Sequence, residues 1–188
     1  NKKKMNNTEL QIVIIGICRA MKYIHQKKFI IRHLLAVNVL LDENLHPHVF
    51  NFTKYNNNDI FYDDRTLGLQ YYIAPEIIKK MNVSNKSDIY CFSILLFQLV
   101  TKKYNIYDGE MTVAECIQNV VINGQRPEFP KSINQNIKEL IETCWSDDPD
   151  NRPEFDELFQ KFAFDSKYYL DGVDVEKLNS YVSSILID

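Results

Sequence analysis

The sequence is poor in glycine, and its glycines lie far apart. All five are single residues, at Gly16, Gly68, Gly109, Gly124 and Gly172. Loops that bind phosphate through backbone N–H groups need clustered glycines, because a residue without a side chain lets the backbone approach the phosphate closely. The absence of any cluster therefore excludes a glycine-rich phosphate-binding loop from this chain.

Long apolar runs and a surplus of one charge are also absent. The longest uninterrupted apolar segment, Ile12 to Cys18, is far shorter than the roughly 20 residues that cross a bilayer as a helix. The chain carries 22 basic and 25 acidic residues, which are interspersed and give a net charge of −3. This balance excludes a basic footprint for nucleic acid and a polybasic membrane anchor. We therefore expect neither nucleic acid nor membrane among the partners.

Cysteines are few and widely spaced, and they form no Cys-x-x-Cys motif, which favours free thiols over a disulfide framework. The four cysteines (Cys18, Cys91, Cys116 and Cys144) each fall within an apolar helical pattern, which predicts buried free thiols in a reducing compartment such as the cytoplasm. The first residues lack the small-residue cleavage site of a secretory signal. A start on Asn1 rather than Met favours a fragment or processed form of an intracellular protein.

Apolar periodicity predicts a mainly helical fold with a small β-ribbon near its start. Thr8 and Gln11 form a capping-box pattern, and helical spacing follows to Gln26. Strand character is found at 29–31 and 39–41, and a turn after the second run allows 48–50 to return as a hairpin partner.

The most informative helix is predicted at Asp88 to Val100, where apolar residues lie on every side. A helix of this kind that is too short to cross a bilayer is the buried centre of a helical domain. Candidate N-caps precede it at 84–87. The other predicted helices are Glu76 to Lys80 after Pro75, Thr112 to near Gly124 with a capping box at Glu115, Ile133 to Trp145 with Trp145 in the core, Pro153 to Phe164, and a tail helix from Val173 to Leu186. The tail helix is expected to pack on its own domain, and the alternative is a docking element for a partner.

Five segments, in order, resemble the motifs of protein kinases. Residues 31–38 (IRHLLAVN) resemble the catalytic loop H-R-D-L-x-x-x-N, and 51–53 (NFT) stand where D-F-G belongs. Residues 74–76 match A-P-E, and 87–92 resemble the start of the family's long buried helix. Residues 144–155 (CWSDDPDNRPEF) resemble the C-W-x-x-D-P-x-x-R-P-x-F signature of tyrosine and tyrosine-kinase-like kinases.

The resemblance implies the large, C-terminal lobe of a tyrosine-kinase-like domain of the Ser/Thr-specific type. Such a lobe belongs to an α+β kinase fold but is itself mainly α, built around one buried helix. We assign 1–165 to the lobe and 166–188 to the tail helix, with the small lobe absent from this chain.

The resemblance also shows which catalytic groups are changed. His33 stands at the catalytic base position and Asn51 at the principal metal-ligand position, both of which are Asp in the family, whereas Asn38 at the second metal position is unchanged. Phosphoryl transfer depends on carboxylates that hold Mg²⁺ and orient the hydroxyl. The resemblance therefore implies weakened binding of ATP and Mg²⁺ and a pseudokinase.

Positions that support the fold are retained. By resemblance, Glu76 pairs with Arg152, and Asp88 accepts hydrogen bonds from the catalytic-loop backbone. Phe52 continues an apolar spine through the lobe, and Leu40 lies at the floor of the adenine pocket. The frame is thus expected to persist while the chemistry is lost.

Two further features leave alternatives open. Arg32 is either the receiver of a phosphorylated residue from the activation segment or a structural arginine, the candidates for phosphorylation being Tyr55, Tyr62, Thr66, Tyr71 and Tyr72. His46 and His48 place two imidazoles on one face of an extended segment, but no third ligand is visible, which disfavours a metal site.

Several functions are compatible with these residues. The preferred interpretation is a scaffold or allosteric partner of other signalling proteins or kinases. The alternatives are a weakly active Ser/Thr kinase with His33 as base, a non-catalytic nucleotide sensor, and a degenerate gene fragment without function.

Overall fold

The computed structural model describes residues 4–32, 34–50, 70–80, 83–103, 106 and 112–187. Within these ranges the chain is mostly helical. The α-helices are α1 (Asn7–Gln26), α2 (Pro75–Lys80), α3 (Asn85–Thr101), α4 (Val113–Cys116), α5 (Gln135–Cys144), α6 (Phe155–Phe164) and α7 (Val175–Leu186). Short 3₁₀ turns occur at Ala36–Asn38, Gln70–Tyr72, Pro149–Asn151 and Ser166–Tyr168.

Helix α1 begins with a different capping box from the predicted one. Asn6 is the N-cap: its side chain accepts from the Glu9 backbone N–H at 2.9 Å, and the Glu9 carboxylate accepts from the Asn6 N–H at 2.8 Å. The prediction that Thr8 and Gln11 form the box is wrong, because both lie inside the helix. Their side chains instead bind backbone groups of Phe162, Leu170 and Asp174.

The β-ribbon is an antiparallel hairpin of β1 (Val39–Leu41) and β2 (Pro47–Val49). Val39 pairs with Val49, and Leu41 pairs with Pro47. The returning strand therefore starts one residue earlier than predicted. The expectation of strand character at 29–31 is wrong, because that segment is irregular and its backbone donates to a side chain rather than to a neighbouring strand.

Helix α3 is the centre of the hydrophobic core. It extends beyond the predicted limits at both ends, from a capping box formed by Ser84 and Ser87 to a left-handed residue at Lys102. Its apolar residues from Ile89 to Phe97 are fully or almost fully buried. Helices α1 and α5 pack against it, and α1 also contacts α6, α7 and the hairpin. The prediction of a central helix buried on every side is confirmed.

The later helices agree with the sequence pattern to within two residues at most ends. Thr112 and Glu115 form the predicted capping box, and α4 continues as a π-helical segment, Ile117–Ile122, before the left-handed Gly124. Helices α5 and α7 start at the side-chain caps Asn134 and Asp174. In each case the sequence placed the start about two residues too early.

The remaining core predictions are also confirmed. All four cysteines are free and buried. The Trp145 ring is 5% exposed and lies between Phe97 and Phe129, with ring centroids 6.0 and 5.4 Å away. No helix in the described ranges is long and apolar enough to span a bilayer.

Candidate active site

Residues 31 and 32, in the segment that resembles a catalytic loop, are held by the Asp88 carboxylate. Asp88 lies in the first turn of α3 and is fully buried. Its Oδ2 accepts from the Ile31 N–H at 2.9 Å, and its Oδ1 accepts from the Arg32 N–H at 2.6 Å. Arg32 has a positive φ of 66°, a conformation that a non-glycine residue adopts only when its surroundings hold it. The carboxylate thus fixes the backbone just before position 33.

A third group on this carboxylate, His25, is absent from the sequence-based predictions. His25 lies in the last turn of α1, and its Nε2 is 2.9 Å from Asp88 Oδ2. Because an ionised carboxylate only accepts hydrogen bonds, Nε2 is the donor. The Nδ1 atom is buried and has no hydrogen-bond partner among the described residues. The sequence shows only that His25 is a polar residue near the end of a predicted helix. Nothing in that pattern identifies Asp88 as its partner.

Asn38 is buried at the end of the same segment. Its backbone N–H donates to the Leu35 carbonyl at 2.9 Å, and its carbonyl accepts from the Phe50 N–H at 3.1 Å. The second bond extends the hairpin ladder by one pair and places Phe50 directly beside Asn38. Asn51 follows Phe50 in sequence but lies outside the described residues, as do His33 and Phe52.

Leu40 lies on the outer face of the hairpin. Successive side chains of a strand point to opposite faces, so Leu40 and its cross-strand neighbour His48 point away from α1 while Pro47 and Val49 point towards the lobe. The Leu40 side chain is 59% exposed. An exposed apolar side chain here is available to contact a ligand or a further segment of protein.

Glu76 and Arg152 form a buried bidentate ion pair between α2 and the segment before α6. Arg152 Nη1 lies 2.8 Å from Glu76 Oε1, and Nη2 lies 2.8 Å from Oε2. The guanidinium also donates to the carbonyls of Ser146 and Lys86, both at 2.9 Å, and lies over the Tyr90 ring. All three guanidinium nitrogens thus donate hydrogen bonds, although Arg152 is only 1% exposed.

Tyr72, at the end of the segment that resembles an activation segment, is anchored to α3. The Tyr72 hydroxyl donates to Gln98 Oε1 at 2.6 Å, and burial raises the pKa of this phenol well above its ordinary value. Tyr71 is half-buried beside it, with ring centroids 5.5 Å apart. Tyr55, Tyr62 and Thr66 lie outside the described residues. Of the described candidates, Tyr72 is not accessible for phosphorylation in this conformation.

The two histidines of the hairpin lie beside the Asp42 carboxylate. His46 Nδ1 and His48 Nε2 lie 3.2 and 3.8 Å from Asp42 Oδ2. The Asp42 carboxylate also accepts from the backbone N–H groups of Asn44 and His46, which lowers its pKa. In the part of the chain that the structure describes, no three His, Cys, Asp or Glu side chains are arranged to hold a metal ion.

Comparison with known proteins places these groups in a family. Residues 1–162 match the family model of the protein tyrosine and serine/threonine kinases. The RGS domain-containing serine/threonine-protein kinase A of Dictyostelium discoideum is 35% identical over 141 residues, which are 75% of this chain and 12% of that protein. The serine/threonine-protein kinase STY46 of Arabidopsis thaliana is 34% identical over 151 residues, 79% of this chain and 26% of that protein.

The alignment with a third relative spans a larger share of that relative's length. The serine/threonine/tyrosine-protein kinase HT1 of Arabidopsis thaliana is 30% identical over 162 residues, 84% of this chain and 41% of that protein. The aligned region is thus less than half the length of each of these three relatives. The family match, together with the bound catalytic-loop backbone and the Glu76–Arg152 pair, shows that the chain belongs to the protein tyrosine and serine/threonine kinase family.

Proposed function

We propose that this chain is the large lobe of a tyrosine-kinase-like domain whose phosphotransfer is impaired, and that it acts in signalling as a scaffold or allosteric partner of other proteins or kinases. The proposal rests on a difference between two sets of charged positions. The buried charged groups that support the lobe are present, whereas two carboxylates of the transfer chemistry are replaced by His33 and Asn51.

The supporting groups argue for a maintained fold. Removal of one partner of a buried ion pair leaves an uncompensated charge, which typically costs about 3–5 kcal/mol. Both Glu76 and Arg152 are present and paired. Asp88 likewise keeps its two backbone donors and His25. A stable lobe is what a scaffold or allosteric partner requires.

The substituted positions argue for reduced chemistry. An imidazole at position 33 is either neutral or positively charged, so in neither form does it carry the negative charge of the aspartate that it replaces. An amide at position 51 offers Mg²⁺ a neutral oxygen where this hard cation favours an anionic one. Loss of one preorganised electrostatic contact commonly costs about 3 kcal/mol in the transition state. Two such losses leave little transfer activity.

Binding of nucleotide is weakened in this proposal rather than abolished. Asn38 is buried with its backbone fixed at both its N–H and its carbonyl, so its position in the loop is well defined. Leu40 offers an exposed apolar surface next to it. Asn38 fits a metal ligand of low charge, and with Asn51 it supplies neutral oxygens only. When bound, Mg²⁺ would neutralise the phosphates of ATP.

Transfer of labelled phosphate from ATP by the full-length protein tests the proposal, with His33→Ala as the matched variant. We expect turnover at background in both proteins. Robust turnover by the natural protein that His33→Ala abolishes would show an active enzyme with a histidine base. In that case activity would fall as the pH drops below about 6.5, because the base becomes protonated.

Thermal shift with ATP separates the remaining functions. A ligand that binds only the folded protein raises its stability. A shift with ATP in the absence of Mg²⁺ would favour a nucleotide sensor, and no shift under either condition would favour a pure scaffold. Cytoplasmic location completes the proposal, since the four buried free thiols suit a reducing compartment.

A further inference from the structure

Helix α7 lies beyond the region that matches the family and yet is packed into the lobe. The family match ends at residue 162, and α7 runs from Val175 to Leu186. One face of α7 is buried, with Leu178 fully buried and Tyr181, Val182 and Ile185 at most 9% exposed. The helix is therefore part of the same core as α1 and not an independent element.

The connection between α6 and α7 is bound to the start of α1 by side chains. The Gln11 amide is fully buried; it donates to the Phe162 carbonyl at 3.0 Å and accepts from the Leu170 N–H at 3.1 Å. Thr8 Oγ1 accepts from the N–H of Asp174, the N-cap of α7, at 2.9 Å. These bonds fix where α7 begins and thus which of its side chains reach the hairpin.

Tyr181 is the point where α7, α1 and the hairpin meet. A methyl group at Gly16 of α1 would lie 2.6 Å from the Tyr181 hydroxyl oxygen and 2.5 Å from Cδ of Pro47 in β2. Only glycine therefore allows these two side chains to sit on α1 together. The Tyr181 ring also stacks beside the His46 ring, with centroids 5.5 Å apart at an angle of 33°.

The hairpin turn that Tyr181 contacts is internally rigid. Asp42 Oδ1 accepts from the N–H groups of Asn44 and His46, both at 2.8 Å, and the Asp42 N–H donates to the His46 carbonyl at 3.2 Å. A restraint on Pro47 and His46 is therefore transmitted to β1. Leu40 and Asn38 lie one and three residues from Leu41, the strand partner of Pro47.

We propose that α7 is a positioning element for the β1–β2 hairpin, that Tyr181 is its positioning residue, and that this contact sets the place of Leu40 and Asn38. The inference rests on the proposed function in one respect, namely that Leu40 forms part of a nucleotide site. Tyr181 contacts the inner side of the hairpin, whereas Leu40 lies on the outer face. The aromatic ring supplies the restraint, so phenylalanine should replace tyrosine.

The test compares three variants of the full-length protein by amide hydrogen exchange and by ATP affinity. Tyr181→Ala removes the ring, and Tyr181→Phe keeps it. Ile141→Ala is the matched control, because Ile141 is fully buried in α5, which packs chiefly against α3 and the 166–168 turn. If Tyr181→Ala does not fold, Tyr181→Leu takes its place, since leucine retains apolar volume without the ring contact.

We expect exchange at Asp42, His46 and Phe50 to accelerate about tenfold or more in Tyr181→Ala, with little change in Tyr181→Phe. In Ile141→Ala the acceleration should be confined to α5 and α3. ATP affinity should weaken several-fold in Tyr181→Ala only. Unchanged hairpin exchange in Tyr181→Ala, or equal acceleration in Ile141→Ala, would overturn the positioning role.

The two proposals fail in different ways. If the natural protein does not bind ATP, the nucleotide site of the proposed function is wrong, and hydrogen exchange still decides whether Tyr181 holds the hairpin. If ATP binds equally well to the natural protein and to a Tyr181→Ala variant with a loosened hairpin, the link to Leu40 and Asn38 is overturned.

Discussion

The Glu76 carboxylate and the Arg152 guanidinium meet through two parallel hydrogen bonds of 2.8 Å, although 76 residues separate them in the sequence. The pair ties the end of the activation segment to the segment that precedes α6. Ser87 at the start of α3 adds a third contact, with its hydroxyl 3.3 Å from Glu76 Oε1. Since this pair is buried, we expect it to be a principal determinant of the stability of the lobe.

Glu76→Gln should lower the free energy of unfolding by about 3–5 kcal/mol, because it leaves the Arg152 charge buried without its counter-ion. Urea denaturation followed by circular dichroism measures the change. Glu142→Gln is the control, since Glu142 belongs to an exposed pair with Lys138 at 3.8 Å and should cost less than about 1 kcal/mol. Equal effects of the two substitutions would contradict the importance of the buried pair.

Asp88→Asn should destabilise the lobe and loosen the catalytic-loop backbone. An amide offers one acceptor oxygen where the carboxylate serves Ile31, Arg32 and His25. Each buried donor left unpaired costs about 1–3 kcal/mol. Urea denaturation and amide exchange at Ile31 and Arg32 measure the two effects.

The exposed Asp156, which pairs with Lys22, supplies the control for this substitution. Asp156→Asn should leave the exchange of Ile31 and Arg32 unchanged. If Asp88→Asn also left it unchanged, Asp88 would not be what holds this segment.

Gly16→Ala should lower the melting temperature although alanine favours helices. Alanine in place of glycine within a helix ordinarily gains about 1 kcal/mol. Here the new methyl group would collide with Pro47 and with the Tyr181 hydroxyl, and overpacking of this kind costs about 1–3 kcal/mol. A melting curve decides the sign, and a higher melting temperature would contradict the close packing of α7 and the hairpin on α1.

The buried thiols should make the protein sensitive to alkali. Burial raises the pKa of Cys144 to about 12 from an ordinary value of 9.0, and it raises the pKa of Cys18 well above that value. The unfolded chain then releases thiol protons at a lower pH than the folded chain does. The contribution of the protonated thiols to the free energy of unfolding is therefore fully present below pH 9, and it is lost as the pH rises towards 12. Urea denaturation at pH 7 to 11 should show a decline that begins near pH 9.

The same burial should protect the thiols from alkylation in the folded state. The nucleophile is the thiolate, which a raised pKa suppresses. All four thiols should therefore react slowly with iodoacetamide, because each is buried. Intact mass measures the rate of reaction, and rapid alkylation of Cys144 in the folded protein would contradict this protection.

Much of the fold could be predicted from the sequence because the caps and the apolar spacing indicate the same helices that the core requires. The apolar stretch from Ile89 to Phe97 has no polar face, so no surface position was possible for it. The capping box of Thr112 and Glu115 depends only on residues three apart in the sequence, and the structure contains it as predicted. The Glu76–Arg152 contact was accessible only through the family resemblance, since nothing local joins the two residues.

The errors arose where long-range contacts decide between equivalent local patterns. Asn6 with Glu9 and Thr8 with Gln11 both satisfy the capping-box pattern. The first pair caps α1 because Thr8 and Gln11 bind backbone groups at Asp174 and Leu170, more than 150 residues away. His25 was missed for the same reason, because its partner Asp88 lies 63 residues away.

In the candidate site, the structure positions some of the predicted residues and leaves others outside the described ranges. Positions 31, 32, 38 and 40 are placed by the Asp88 carboxylate and by the hairpin ladder, and their arrangement follows from the structure. His33 and Asn51 lie outside the described residues, and their contribution follows from the chemistry of their side chains. Restoring the two carboxylates therefore tests that contribution directly.

The most direct measurement is phosphate transfer by three full-length proteins side by side: the natural protein, His33→Ala, and the double variant His33→Asp with Asn51→Asp. We expect background transfer by the first two and a gain of about a hundredfold or more in the double variant, because each restored contact is worth about 3 kcal/mol. Rapid transfer by the natural protein that is lost in His33→Ala would contradict the claim that the chemistry of this lobe is impaired.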